Sequence, residues 1–203
     1  MKVLGLVGSP RKKGNTDILV DTFLEGASTG AEVKKYFLID LEINQCMGCA
    51  QNCIFQAGVT CKTHHDDMDE LLLEMVSSDV ILFASPLYCA TYTSLITRFF
   101  ERALPLWQIA YENEPGTNKP RRINRCPVKG KKVVVGMVQD SRDPKSARLA
   151  FEAFEHNICE IYMMDLVGKI HVTDVRSPGE IKSKPKELKR IFELGKSIVN
   201  SRQ

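Results

Sequence analysis

The chain lacks any run of about 18 uninterrupted apolar residues, the length that a membrane-crossing helix needs, so no transmembrane span is expected. Its first apolar run is short and leads directly into a charged loop, which is not the pattern of a secretory leader. Cytoplasmic residence is therefore the expectation. Neither sign of charge is in excess: 28 Lys and Arg against 25 Asp and Glu leave a net charge of +3, too small to argue for nucleic acid or an anionic membrane as a partner. Internal repeats and low-complexity segments are also missing. What remains is an ordinary globular composition, 43% hydrophobic and 26% charged. Its 203 residues suffice for a single domain, 1–203, with a real core.

Cysteine is what the chain has in quantity. Seven occur, four of them between residues 46 and 61. In a reducing compartment such thiols are metal-binding, redox-active or buried rather than disulfide-bonded.

The periodicity predicts strands over 2–8 (KVLGLVG), 33–39 (VKKYFLI), 79–85 (DVILFAS) and 132–138 (KVVVGMV), with a fifth inside EIYMMDLVGKIHV. Helical patterns fall between them. Leu19, Phe23 and Ala27 share one face after the first strand. Asp66 reads as an N-cap, with Asp67 and Asp69 in the first turn, before Met68, Leu71, Leu72, Met75 and Val76 at amphipathic spacing. Asp143-Pro144 reads as an N-cap followed by Pro at the first helical position. The last helix places Leu188, Ile191, Phe192, Gly195, Ile198 and Val199 on one side. Residues 105–130 read as a long irregular insertion, and 44–65 as a cysteine-rich loop.

Strands alternating with helices imply parallel βαβ units, and continuously apolar strands imply a sheet covered on both faces. The expected fold is α/β, a doubly wound parallel sheet of five strands in the flavodoxin-like order 2-1-3-4-5 within a three-layer αβα domain. Such sheets bind ligands beyond the carboxyl ends of their strands, near the point where the order reverses.

The loop after the first strand reads GSPRKKGNT. A helix N-terminus following a strand favours an anion. Gly8, Gly14 and Ser9 allow close approach of the backbone, Ser9, Asn15 and Thr16 offer short polar groups, and Arg11 offers a fork for phosphate. The loop is neither a Walker A sequence nor G-x-G-x-x-G, so a single phosphate monoester suits it better than a pyrophosphate. A plain strand-to-helix turn capped by Thr16 is the competing reading.

GSPRKKGNT, together with the later DVILFASPLYCATYTSLITRFFER, resembles the phosphate loop and flavin-ring loop of the flavodoxin-like NAD(P)H-dependent FMN reductases. The resemblance implies FMN as cofactor. It implies phosphate binding by Ser9, Arg11, Asn15 and Thr16, with Lys13 and Gly14 lining the same loop. It places Pro86, Leu87 and Tyr88 beside the flavin ring, followed by Cys89, Ala90 and Thr91. For Tyr88 and Tyr92 ordinary surface packing is the competing reading, and for the Cys89 side chain it is the preferred one. The loop beginning at Gln139 and Asp140 is expected near the flavin on topology alone. No side chain is assigned as a general acid or base, because the flavin supplies the redox chemistry.

Cys46, Cys49, Cys53 and Cys61 are spaced C-x2-C-x3-C-x7-C. Four close cysteines suit an iron–sulfur cluster or a four-thiolate zinc site, and free buried thiols are the third reading. The segment, followed by a D-D-M helix start, resembles the iron–sulfur flavoprotein branch of the same family, which implies a [4Fe-4S] cluster beside FMN. It departs from that branch in its second gap, where Ala50, Gln51 and Asn52 make three residues instead of two. His64 and His65 read as solvated or capping residues, and Cys126 and Cys159 as packing residues.

The basic run NKPRRINRCPVKGKK reads first as a solvated loop, with NADPH phosphates or an acidic redox protein as the other readings. Trp107 and Tyr111 precede it, and the resemblance implies a homodimer or homotetramer in which such residues meet another subunit. The resulting expectation is an FMN-dependent oxidoreductase, with electrons from NAD(P)H or a ferredoxin-like donor. The alternatives are a reductase of FMN or quinones without a cluster, a flavodoxin-like electron carrier, and a binding module that uses the fold without flavin.

Overall fold

A computed structural model describes residues 1–49 and 52–200. Five strands form one parallel sheet: β1 (Lys2–Val7), β2 (Glu32–Phe37), β3 (Val80–Pro86), β6 (Lys132–Val138) and β7 (Asp165–Val172), in the order β2-β1-β3-β6-β7. Two further strands, β4 (Ile109–Asn113) and β5 (Pro120–Asn124), pair antiparallel outside it. The expected order 2-1-3-4-5 therefore becomes 2-1-3-6-7 once every strand is numbered. The expectation of an irregular insertion is corrected: the segment forms a hairpin whose exposed Tyr111, Arg121 and Arg122 carry little apolar pattern, so the periodicity that marks a buried strand is weak there.

Each central strand sends alternate side chains to opposite faces. Leu4, Leu6, Ile81, Phe83, Val133 and Val135 meet α2 (Asp67–Ser77), α3 (Ser94–Arg102) and α4 (Arg148–Glu155) on one face. Val3, Val7, Val80, Leu82, Val134 and Ile170 meet α1 (Asn15–Ala27) and α5 (Pro185–Asn200) on the other. This is the expected three-layer arrangement, with both faces of the sheet dry. The N-terminal ends of α1 and α3 lie just beyond the carboxyl ends of β1 and β3.

The caps show why the helices begin where they do. The Asp66 carboxylate accepts from the Met68 N–H, and the Asp143 carboxylate accepts from the Lys145 N–H. Pro144 opens a 3-10 turn, Pro144–Ala147, before α4, which runs on into a π-helical turn, His156–Ile161. Thr16 is not a cap: the N-cap of α1 is Gly14, which has no side chain to offer, and Thr16 is buried inside the first turn. Among the described residues no helix is long and apolar enough to cross a membrane.

Candidate functional site

A cleft of about 280 Å³ opens at the carboxyl ends of β1, β3 and β6. Its first wall is the β1–α1 loop, through Ser9, Arg11, Gly14, Asn15 and Thr16. Backbone geometry, more than side chains, shapes this wall. The Ser9 hydroxyl accepts from the Arg11 N–H at 3.2 Å, and Lys13 adopts a left-handed φ of 58°. The Lys13 N–H donates at 2.6 Å to Asp17, whose buried carboxylate also binds Lys35 Nζ at 2.8 Å. The turn thus leaves the Arg11 guanidinium exposed at the cleft, and among the described residues it has no ion-pair partner. Gly8 serves packing rather than ligand approach: a Cβ there would lie 2.4 Å from Ile96 Cγ1 of α3.

The second wall is the β3–α3 loop, with Pro86, Leu87 and Tyr88. It is tied down by Leu87 N–H to Val138 O at 2.8 Å and by Thr93 Oγ1 to Gly8 O at 2.6 Å, bonds that lock β1, β3 and β6 together at their ends. Tyr88 and Thr91 exchange two backbone hydrogen bonds of 2.9 Å around Cys89 and Ala90. Both central residues have positive φ, 49° and 62°, the geometry of a type I′ turn, which favours Asn-Gly. Cys-Ala in this position is strained, and such strain concentrates at functional loops.

The third wall comes from the β6 and β7 loops, with Gln139, Asp140, Val175, Arg176 and Pro178. Gln139 is buried, and its amide is held on three sides. It accepts from His171 Nε2 at 2.9 Å and donates to Ser141 O and Asp143 O at 2.9 and 2.7 Å. Burial, and secondarily the Arg190 charge, pushes the His171 imidazole below its ordinary value, which keeps it neutral with Nε2 as donor.

The structure brings Ser9, Arg11, Gly14, Asn15, Thr16, Pro86, Leu87 and Tyr88 to one cleft. Lys13, Cys89, Ala90 and Thr91 are exposed and lie outside the cleft walls. Asn15 is committed elsewhere: its amide donates to Ser177 O at 3.0 Å and accepts from the Ile181 N–H at 3.1 Å. This clasp fastens the loop after β7 to the start of α1 and carries Arg176 into the cleft. Sequence reasoning passed over Arg176. Its signal was R-S-P-G following the last strand, a basic residue beside turn formers at a carboxyl end of the sheet. An exposed guanidinium without an ion-pair partner, the α1 N-terminus and a wall of Pro, Leu and Tyr fit a phosphate at one end and a flat apolar ring at the other.

A second pocket, about 20 Å³, is lined by Cys46, Cys49, Cys53 and Cys61 together with His64 and Arg102. The first turn of α2 gathers the loop that carries them. Asp67 Oδ2 accepts from the Glu42 N–H at 2.7 Å, Asp69 Oδ1 from the Cys61 N–H at 3.3 Å, and Asp66 Oδ2 from the Asn44 N–H at 2.8 Å. Asp66 also meets Arg102 through Nη1 and Nη2, at 2.7 and 3.0 Å, with both side chains buried. Burial opposes the Asp66 charge, but the bonds from Arg102 and Asn44 outweigh it and hold the carboxyl well below the usual range.

The Cys61 sulfur accepts from the Thr63 and His64 N–H groups, each at 3.4 Å, and the Cys49 sulfur from the Thr63 hydroxyl at 3.5 Å. Such bonds are what iron–sulfur ligands receive. Among the described residues, no group of three or more His, Cys, Asp or Glu side chains stands ready to hold a metal ion. The donor chemistry, rather than a preformed cage, is what fits a cluster. Ala50 and Gln51, which set the longer gap, lie outside the described residues. Cys126 is buried against Tyr162 O, and Cys159 packs at the core edge, both as expected of packing residues. His65 pairs with Asp69 at 3.2 Å.

Residues 1–121 match the family described as NADPH-dependent FMN reductase, and the chain belongs to that family. Among curated proteins, it is similar to an iron-sulfur flavoprotein from Archaeoglobus fulgidus, 38% identical over 106 residues, covering 52% of this chain and 46% of that protein. An iron-sulfur flavoprotein from Methanocaldococcus jannaschii is also 38% identical, over 107 residues, covering 52% of this chain and 53% of the relative. The chain thus spans about half the length of the curated relatives it matches. In fold it is similar to a flavone reductase, with TM-score 0.70 and 20% identity, covering 99% of this chain and 62% of the other. It is likewise similar to an NAD(P)H:quinone oxidoreductase from Methanothermobacter marburgensis, with TM-score 0.65 and 14% identity, covering 97% and 94%.

Proposed function

We propose that the chain binds FMN in the cleft and works as an FMN-dependent oxidoreductase, drawing electrons from NAD(P)H or a ferredoxin-like protein, with a [4Fe-4S] cluster on Cys46, Cys49, Cys53 and Cys61. The observation that carries this reading is the cleft itself: in a member of the FMN reductase family, its basic and apolar ends stand at the carboxyl ends of β1, β3 and β6. When bound, FMN supplies two-electron and one-electron redox chemistry, and an iron–sulfur centre supplies one-electron transfer.

The chain's own residues supply position. Arg11 and the α1 N-terminus neutralise the phosphate, and Pro86, Leu87 and Tyr88 shield one side of the ring from water. Gln139, its amide engaged by His171, Ser141 and Asp143, keeps the third wall of the cleft rigid. Assembly as a homodimer or homotetramer belongs to the same reading, with exposed Tyr111 on the β4–β5 hairpin available for a contact, and sedimentation analysis checks it.

Replacing Arg11 by Ala is expected to weaken FMN binding by about 1–3 kcal/mol, the worth of a charge-assisted bond. Quenching of flavin fluorescence measures it, and unchanged affinity refutes the phosphate role. Bleaching of bound flavin by NADH or NADPH tests the reductase, since bleaching by a partner protein alone indicates a carrier. A second reading is an NAD(P)H:FMN or quinone reductase without a cluster, supported by the match of residues 1–121 to the NADPH-dependent FMN reductase family. Iron and sulfide analysis of anaerobically prepared protein, with its visible spectrum, separates the two.

A further inference from the structure

Arg102 ends α3 with 2% of its surface exposed and is among the residues lining the pocket of the four cysteines. An arginine fork carries five N–H donors. Here the two Nη atoms serve Asp66 end-on, and Nη1 also reaches Asn44 O at 2.7 Å. Nε is the one nitrogen of the three that has no acceptor, and it is buried. A donor hidden from water without an acceptor costs on the order of 1–3 kcal/mol, so each such group calls for an explanation. The His64 Nε2 in the same pocket is also buried and unpartnered. Asp66 already balances the Arg102 charge, so charge pairing does not explain the idle Nε. A neutral thiol is a weak acceptor, whereas a cluster thiolate or sulfide is a strong one.

We propose that Arg102 is a potential-setting residue, whose Nε–H donates to sulfur of the iron–sulfur centre held by Cys46, Cys49, Cys53 and Cys61. The inference rests on the cluster reading above and adds the residue that tunes it. Reduction places one more negative charge on the cluster, so a donor to its sulfur strengthens in the reduced form and raises the midpoint potential. Asp66 fixes the guanidinium from behind and leaves the donor no other task.

The test is Arg102→Lys in the full chain, reconstituted anaerobically with ferrous iron and sulfide. The ammonium keeps the pair with Asp66 but has no Nε–H to offer. Iron and sulfide should equal wild type, and the flavin midpoint should stay as it was. The cluster's reduction equilibrium should shift about tenfold toward the oxidised form, a fall of about 59 mV for one electron. A cluster midpoint equal to wild type at full iron content overturns the role of Arg102 and leaves the cluster reading intact. Absence of iron from reconstituted wild type overturns the cluster reading and this inference with it. Should the variant not fold, wild-type protein labelled with 15N-arginine decides. The Arg102 Nε–H resonance of cluster-free protein must shift or broaden once the cluster is reconstituted, and an Nε–H resonance unchanged by reconstitution refutes the contact.

Discussion

Replacing Asp66 by Ala tests whether one carboxylate joins α2, α3 and the cysteine loop. Its oxygens accept from Met68 N–H at 3.2 Å, Asn44 N–H at 2.8 Å, Asn44 Nδ2 at 3.0 Å and both Nη atoms of Arg102. The alanine variant leaves the Arg102 charge buried and uncompensated, a change that costs about 3–5 kcal/mol. Loss of the helix cap alone is worth about 1 kcal/mol. The two effects share one group and do not add, so about 3–5 kcal/mol is the expected total. For a chain of this size each kcal/mol lowers the melting temperature by roughly 2–4 °C, which gives a fall of roughly 6–20 °C. Urea unfolding followed by circular dichroism reads the free energy directly.

Asp66→Asn, which keeps acceptor and cap but not charge, should fall between wild type and Ala. Acid adds an independent check. The folded carboxyl titrates below its unfolded value of about 3.9. Its contribution is therefore full above about pH 5, declines as the pH drops through about 4, and is gone below the folded value. The Asn variant should flatten this acid limb. An Ala variant within about 1 kcal/mol of wild type, or an unchanged acid limb in the Asn variant, refutes the reasoning.

Two further substitutions probe backbone contacts. A Cβ on Gly195 would lie 2.1 Å from Phe23 O, and one on Gly26 would lie 2.1 Å from Phe192 O, so α1 and α5 touch backbone to backbone. Gly195→Ala would gain about 1 kcal/mol in a free helix but should lose about 1–3 kcal/mol here by forcing the helices apart; a stabilised variant in urea titration disproves the contact. Ala90→Gly should stabilise the chain by about 0.5–1 kcal/mol, since a left-handed φ of 62° strains Ala by about 1–2 kcal/mol and Gly hardly at all. A lower urea midpoint for this variant would show that the turn is unstrained.

Much of the sheet was legible because its strands are apolar and short and the helices between them amphipathic. Lys132–Val138 emerged with its expected bounds, while the second strand ends at Phe37 rather than Ile39. Ile39 is an apolar residue just past the strand and is 44% exposed, so composition alone extended the strand too far. Asp66 and Asp143 were readable as caps because a cap bonds to N–H groups only two residues away. The hairpin was not readable, since exposed strands carry no burial pattern.

Within the candidate site, the β1–α1 and β3–α3 loops announced themselves through local residue types. The residues that meet them from far along the chain did not. Asn15 and Ser177 are 162 positions apart, and nothing near Asn15 shows that its amide is reserved for a loop beyond β7. Nor does Arg102, one more charge on an amphipathic helix, reveal from the sequence that it is buried against Asp66 beneath four cysteines.

Local spacing by itself determined the parallel α/β layering, the helix caps and the clustering of Cys46, Cys49, Cys53 and Cys61, because strand period, helix period and capping act over a few residues. Tertiary structure decided which polar atoms stay free for a ligand and which are spent on the fold. Arg11 remains open at the cleft, the Asn15 amide is consumed in a clasp, and of the three Arg102 nitrogens only Nε has no acceptor. That allocation depends on which groups distant in sequence are driven together by burial of the sheet, and no local pattern encodes it.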